Sequence, residues 1–242
     1  MTAQSNSGHD PRLGAPSTGG WAGAVRQARR LAWAGMVYVL AWLVGLLVAP
    51  SAPPATASAA EVNRYFVAHG SAALLQALLV HGLAGVALVG LAVAVWGHLR
   101  AAAAPLAPTR LLLLGFALLA AAVSLVQFAL AVATAVHVAG HGGASGTRAL
   151  FDAVNKADTV KLVLLAGFIA AATVAAARPA ALPGWLRLEG AVTVPCLVVG
   201  GLAFLVDAAA LTLVLDLSLL LLLVWAATSV TVLRRPRRAG AT

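Results

Sequence analysis

The fold class of this chain is decided by residues 72–97, AALLQALLVHGLAGVALVGLAVAVWG. The stretch has 26 residues and no Asp, Glu, Lys or Arg, and about 20 apolar residues are enough for a helix to cross a hydrocarbon layer of roughly 30 Å. The rest of the chain is similar, since 62% of its 242 residues are hydrophobic and 10% are charged. This composition excludes a water-soluble enzyme, because a soluble protein needs more charge to cover its surface.

Six segments are long and apolar enough to be membrane spans. They are about 31–49, 72–97, 110–138, 158–177, 190–207 and 210–233. The sequence therefore predicts an all-α, polytopic membrane helix bundle with six transmembrane helices, formed by residues 26–234. Residues 1–25 are rich in Gly, Ser and Pro, which predicts a disordered cytoplasmic tail. Residues 235–242 are predicted to form a short basic cytoplasmic tail.

The cations of the chain indicate its orientation, because positive residues accumulate on the cytoplasmic side of membrane proteins. With the amino terminus inside, twelve cations flank the inner ends of the spans: Arg12, Arg26, Arg29, Arg30, Arg100, Arg110, Arg178, Arg187, Arg234, Arg235, Arg237 and Arg238. Four lie on the outer side: Arg64, Arg148, Lys156 and Lys161. This asymmetry predicts a multi-pass protein of the plasma (inner) membrane with both termini in the cytoplasm.

The net charge of +9 does not indicate a nucleic-acid partner, because the arginines lie at the ends of apolar runs rather than on a soluble basic face. The predicted partner is the lipid bilayer. Its anionic lipids are expected at four arginines of the carboxyl terminus, Arg234, Arg235, Arg237 and Arg238.

The first span has an alternative interpretation as a cleavable export signal, since the small and proline-rich residues 50–59 follow it. A signal core has roughly 7–15 apolar residues. The apolar run 31–49 has about 19 residues, which is close to the length of a full membrane span. The longer run favours a retained membrane helix.

Two stretches on the outer side are amphipathic. In residues 58–70, Ser58 and Glu61 have the spacing of a helix-capping box, and apolar residues follow at helical intervals. Residues 147–158 carry a shorter apolar stripe, with Asp158 as the expected cap of the fourth span. The pattern predicts one or two short helices on the outer membrane surface.

Ionisable residues within a span are candidates for function because their insertion costs about 2.5–3.5 kcal/mol. His81 lies near the middle of the second span, on a face of small residues. A small or polar stripe with Gln127 runs along the third span. Close packing of these two faces predicts a hydrogen bond between His81 and Gln127.

Lys161 lies near the outer end of the fourth span, at a depth that allows it to pair with Asp216 or with Asp207. The predicted binding residues are therefore His81, Gln127, Lys161, Asp207 and Asp216. Two interpretations stay open: a polar pocket in the outer half that receives a small polar solute or a proton, and a buried charge pair that only holds helices together.

Enzymatic motifs are incomplete, so the sequence predicts a non-enzyme. The tetrapeptide GASG, residues 143–146, matches the Gly-x-Ser-Gly of rhomboid proteases, but residues 210–233 contain no histidine base for Ser145. An intramembrane hydrolase is thus a remote alternative. No cofactor or metal is expected: haem needs two histidines at similar depth, whereas His81 is central and His137 and His141 are peripheral.

The chain resembles uncharacterised integral membrane proteins of bacteria across residues 31–233. The similarity is concentrated in ALFDAVNKADTVKL (149–162), LPGWLRLEGAV (182–192) and GGLAFLVD (200–207). These segments are similar to those of actinobacterial members of a six-span family that carries a domain of unknown function. The resemblance implies six spans and a plasma-membrane location.

Two functions follow as hypotheses. The first is a membrane protein that binds or passes a small solute, lipid or proton through a polar pocket in its outer half. The second is a structural or regulatory membrane subunit without transport activity, in which the intramembrane polar residues hold the helices together.

Overall fold

The computed structural model describes residues 18–101, 107–177 and 181–234. These residues form α-helices joined by short loops, without a strand in the described ranges. The helices are α1 Thr18–Val48, α2 Ala59–Ala77, α3 Ala84–Ala101, α4 Ala107–Ala139, α5 Ala144–Ala177, α6 Gly184–Gly200 and α7 Ala209–Arg234. A π-helical segment, Leu78–Leu83, joins α2 to α3, and a 3₁₀ turn, Gly201–Phe204, follows α6. The predicted all-α fold is confirmed.

Five stretches of helix are long and apolar enough to cross a membrane: Ala59–Arg100, Pro108–Ala139, Ala144–Ala177, Gly184–Phe204 and Ala209–Arg234. The first predicted span, 31–49, coincides with a shorter apolar helical segment, Trp33–Val48. Large apolar side chains also cover the outside of the bundle. Leu47 is 85% exposed and Leu213 71%, as expected for a surface that faces lipid. The architecture is that of a multi-pass membrane protein.

Apart from α2, which packs mainly against α4 and α5, the helices form a ring in the order of the chain. Going round it, α1 packs against α3, α3 against α4, α4 against α5, α5 against α6 and α6 against α7, and α7 returns to α1. Short connections favour such antiparallel neighbours. The buried core contains large side chains from several helices, among them Trp42, Leu91, Phe168 and Trp225.

One end of the ring, here called the Asp207 end, is held together by contacts between its loops. Arg148 donates hydrogen bonds to the carbonyl oxygens of Ala55 and Ala57 and forms an ion pair with Asp152 at 3.0 Å. The hydroxyl of Thr56 donates to an Asp207 carboxylate oxygen at 2.8 Å. The loop before α2 is therefore fixed against α5 and the loop before α7.

The opposite end is here called the Arg234 end. The guanidinium of Arg234 lies 4.1 Å from the ring centroid of Trp33, so α7 and α1 contact each other here through a cation–π interaction. His98, in the last turn of α3, lies 3.1 Å from the carbonyl oxygen of Ala181.

The two predicted amphipathic helices begin much as expected but do not stand apart from the spans. Ser58 and Glu61 form the predicted capping box at the start of α2, and α2 then continues toward α3. It bends at His69, whose φ of −127° and ψ of 17° are not helical. Residues 147–158 are the first turns of the long helix α5. Asp158 is thus inside a helix, and its predicted role as a cap is wrong.

The predicted tails fall only partly within the described residues. Helix α1 begins at Thr18, inside the segment 1–25 that the composition assigns to a disordered tail. Residues 1–17 and the basic tail 235–242 lie outside the described residues.

Candidate functional site

A cluster of three ionisable side chains forms where Lys161 and Asp158, both buried on α5, approach the half-buried His81 of the π-helical segment. The Nζ atom of Lys161 is 2.5 Å from Oδ1 of Asp158 and 3.2 Å from Nδ1 of His81. Lys161 is 2% exposed and Asp158 8%. A charged ammonium has no lone pair and can only donate. Nδ1 of His81 therefore accepts from Lys161, and the imidazole carries its hydrogen on Nε2.

Helix geometry brings the three residues together. Asp158 and Lys161 are three positions apart on α5, and this spacing places two side chains on the same face of a helix. His81 lies in the π-helical segment Leu78–Leu83. A π-helical turn holds more residues than an α-helical turn, so it changes the direction in which the following side chains point. Here it coincides with the contact between His81 and α5.

An aromatic ring of α1 completes the surroundings of the ammonium. Nζ of Lys161 lies 5.3 Å from the ring centroid of Trp42, a distance at which the negative face of the ring attracts a cation. Trp42 is 6% exposed, and the ring of Tyr38 lies 6.5 Å from it. The charge of Lys161 is therefore balanced by the carboxylate of Asp158, and a neutral imidazole and an indole ring make further contacts with the ammonium.

Gln127 of α4 borders the same part of α5. It is 0% exposed, and its Nε2 donates to the carbonyl oxygen of Val154 at 3.3 Å. Its Oε1 atom is buried and has no hydrogen-bond partner among the described residues. A buried acceptor without a partner is rare in proteins and commonly indicates a bound water or ligand. Gln127 thus offers an acceptor to a small hydrogen-bond donor.

The predicted hydrogen bond between His81 and Gln127 is wrong. His81 contacts Lys161 and Gln127 contacts Val154, so both side chains turn to α5 rather than to each other. The physical reason is that α5 packs along α4, which brings the Val154 carbonyl to Gln127, while the long side chain of Lys161 reaches from α5 to His81.

The predicted small-residue face of the second span and the stripe on the third are buried in the bundle. On the face of the second span, Ala84 is 1% exposed. On the stripe of the third span, Ala120 is 0% and Ser124 is 4% exposed. A Cβ atom placed on Gly85 would lie 2.9 Å from Cβ of Ser124. Helices α3 and α4 therefore approach as closely as small residues allow.

The two remaining predicted residues lie apart from the cluster. Asp207 is exposed and accepts the hydrogen bond of Thr56. Asp216 is exposed on α7 and forms neither a hydrogen bond nor an ion pair with the described part of the chain. The expected pairing of Lys161 with Asp216 or Asp207 is wrong, because Lys161 pairs with Asp158 of its own helix.

Two members of the cluster, Asp158 and Trp42, were not among the predicted binding residues. The spacing of Asp158 and Lys161 was a usable signal, since opposite charges three positions apart on a helix form ion pairs. No local pattern marks Trp42, whose position depends on how α1 packs against the rest of the ring.

The end of α6 is also tied to this region. Helix α6 changes to a 3₁₀ turn at Gly201, and the Gly201 carbonyl oxygen accepts a hydrogen bond from Oγ1 of Thr159 at 2.9 Å. Thr159 follows Asp158 directly in α5. The side chain of Thr159 thereby satisfies a carbonyl group beside the break in the helix, and it links α6 to the helix that carries the cluster.

Comparisons of the chain with protein-family models, curated proteins and solved structures gave no match. Membership of the six-span bacterial family stays a prediction from the sequence.

Proposed function

We propose that this protein is a non-enzymatic, six-span protein of the plasma membrane, with both termini in the cytoplasm, that binds and releases a proton at the cluster of His81, Lys161 and Asp158. The observation that carries the proposal is the distance of 3.2 Å between Nδ1 of the half-buried His81 and Nζ of the buried Lys161. Imidazole is the side chain that ordinarily changes charge near neutral pH, and ionisable groups within spans commonly belong to proton relays.

The chemistry of the cluster gives it two states. With His81 neutral, Nδ1 accepts from the ammonium of Lys161, which also donates to Asp158. A proton that binds to Nδ1 removes this acceptor and places two cations side by side, so His81 and Lys161 repel each other. The Asp158 carboxylate retains Lys161, so the repulsion acts on His81 and on the π-helical segment that carries it. Proton binding is therefore expected to move this segment away from α5.

Gln127 offers a further site at which a small polar solute could bind. Its buried Oε1 has no partner among the described residues and can accept from a water, a hydronium ion or the donor group of a solute. The predicted orientation places this acceptor and the cluster in the outer half of the membrane.

A second candidate function is that of a structural subunit, favoured by the near-complete burial of the ion pair. Lys161 and Asp158 satisfy each other, and the Trp42 ring covers the ammonium. In this alternative the cluster only connects α1, α5 and the π-helical segment. The titration of His81 distinguishes the two functions.

The interaction with lipids is proposed at the Arg234 end. Arg234 lies against Trp33, and Arg235, Arg237 and Arg238 follow it in the sequence, outside the described residues. A cluster of cations directly after a span attracts anionic headgroups.

His81→Asn is expected to abolish proton movement while it leaves the fold intact. The amide oxygen of Asn takes the place of Nδ1 as the acceptor for Lys161, but Asn does not titrate. The measurement uses protein reconstituted in liposomes that contain a pH-sensitive dye, with a potassium diffusion potential as the driving force. Wild-type protein is expected to admit protons faster than protein-free liposomes, and His81→Asn to reduce the rate to that of protein-free liposomes.

The matched control is Asp216→Asn, which changes an ionisable group on the exposed face of α7 and should retain the wild-type rate. Equal rates for wild-type protein and His81→Asn, or a wild-type rate no higher than that of protein-free liposomes, would contradict the proposal. The second of these results would favour the structural subunit, and the first would show that protons enter without His81.

A further inference from the structure

A second group of buried polar atoms lies toward the Arg234 end, where α5, α6 and α7 meet. Besides Nε of Arg187, four side-chain atoms in this region are buried and have no hydrogen-bond partner among the described residues: Thr173 Oγ1, Glu189 Oε2, Trp225 Nε1 and Ser229 Oγ. Trp225 is 0% exposed and Ser229 1%. The helices that carry the four atoms pack directly against one another, α6 against both α5 and α7.

Two of the donors converge on one point of α6. A Cβ atom placed on Gly190 would lie 2.7 Å from Oγ1 of Thr173 and 3.1 Å from Nε1 of Trp225. Gly190 has no side chain, so the hydroxyl and the indole reach the backbone of α6 directly beside Glu189. The absence of a Cβ atom is what allows polar groups of α5 and α7 to meet here.

The carboxylate of Glu189 lies in the same region. Its Oε1 accepts a hydrogen bond from Oγ1 of Thr193 at 3.2 Å, and Thr193 is 0% exposed. Glu189 therefore has one oxygen held by a buried hydroxyl and a second oxygen, Oε2, that is buried and free to accept.

The chemistry of these atoms selects the ligand. The indole N–H of Trp225 only donates, which disfavours a metal cation, and the carboxylate of Glu189 disfavours an anion. Water accepts from the indole and donates to the carboxylate, and buried water is the usual partner of otherwise unsatisfied polar groups. A protonated carboxyl group can also donate to such a water.

We propose that Glu189 is a second proton-binding site, in which buried water joins its carboxyl group to Nε1 of Trp225 and Oγ1 of Thr173. The ligand of this site is a proton carried by water. Because the water is hydrogen-bonded to both groups, the charge of Glu189 is sensed at the indole.

This site is separate from the His81 cluster. Lys161 and Thr173 are twelve positions apart on α5, about 18 Å along the helix axis at the usual rise. The side chains of α5 between them that face the interior are apolar, with Leu162, Leu165 and Ile169 each exposed by 1% or less. The proposal therefore does not depend on the function proposed for the cluster.

Besides Glu189, helix α6 carries one charged residue. Arg187 lies two positions away on α6, and its buried Nε has no partner among the described residues. The atoms nearest to a Cβ placed on Gly190 belong to Thr173, Trp225 and Ile169, and none of these residues titrates near neutral pH. A pH-dependent change at the indole of Trp225 is thus expected to report Glu189.

The test observes the indole N–H of Trp225 by nuclear magnetic resonance in the full chain, labelled with ¹⁵N at its six tryptophans and held in detergent micelles. The resonance is assigned by its loss in Trp225→Phe. In the wild-type protein it is expected to shift in one titration step when the pH is lowered from mildly alkaline to mildly acidic. In Glu189→Gln, which keeps an acceptor for Thr193, the shift is expected to disappear.

Glu61→Gln is the matched control, since Glu61 is an exposed carboxylate at the start of α2, and the shift of Trp225 should persist in it. A wild-type Trp225 resonance that does not respond to pH overturns the proposal without any variant. An equal shift in Glu189→Gln overturns it as well. Neither result concerns His81, whose role is decided by the liposome measurement.

Discussion

Asp158→Ala is expected to destabilise the bundle by about 3–5 kcal/mol, because removal of one partner of a buried ion pair leaves an uncompensated charge. Lys161 is 2% exposed and cannot reach water without opening the helices around it. Its remaining contacts, the neutral imidazole of His81 and the ring of Trp42, do not balance its charge. The measurement is unfolding of the purified protein in mixed micelles with increasing denaturing detergent, followed by circular dichroism.

Two variants make this result specific. Asp216→Ala removes the same type of group from the exposed face of α7 and should change the unfolding free energy by less than about 0.5 kcal/mol. The double variant Asp158→Leu with Lys161→Met replaces the pair by apolar groups and is expected to recover most of the lost stability. If Asp158→Ala and Asp216→Ala unfold at the same detergent concentration, the ion pair is not buried as described.

The elements that could be predicted from the sequence are those that depend on local pattern. Long apolar runs gave the helices and their all-α class, because a helix in lipid satisfies its own backbone groups. The capping box of Ser58 and Glu61 was predicted correctly, since the bonds that define it join residues three positions apart. The small-residue stripe of α4 identified a buried face because only close packing favours Ala, Ser and Gly along one line.

The partners of the polar residues could not be predicted, because they depend on the rotation of each helix about its axis. Depth in the membrane allowed Lys161 to pair with Asp216, yet Asp216 faces outward from α7. For His81, α-helical spacing does not give the direction of the side chain, since the residue lies in a π-helical segment. An additional residue in one turn changes the direction of a side chain, and the sequence LLVHGL carries no sign of it.

The cluster at Glu189 illustrates a further limit of sequence reasoning. The meeting of polar groups beside Glu189 depends on Gly190, because the missing Cβ atom admits Thr173 and Trp225 from two other helices. Such a site becomes visible only when three helices are placed around one glycine.

Gly200→Val is expected to destabilise the protein by roughly 3 kcal/mol, the upper part of the range for residues inserted into a packed interior. A Cβ atom on Gly200 would lie 2.9 Å from Cα and 3.2 Å from the backbone nitrogen of Leu215. Backbone atoms cannot rotate away as a side chain can, so α6 and α7 must separate. The unfolding measurement in mixed micelles described for Asp158→Ala gives the size of the effect.

Gly115→Val is the matched control, because the same substitution in α4 meets no atom within 4 Å and should leave stability close to that of the wild type. Separation of α6 from α7 is also expected to disturb the His81 cluster. The carbonyl oxygen of Gly201 accepts a hydrogen bond from Thr159, which is the neighbour of Asp158 in α5. We therefore expect Gly200→Val, but not Gly115→Val, to slow proton entry in liposomes. Equal stability of the two variants would show that α6 and α7 are not in close contact at Gly200.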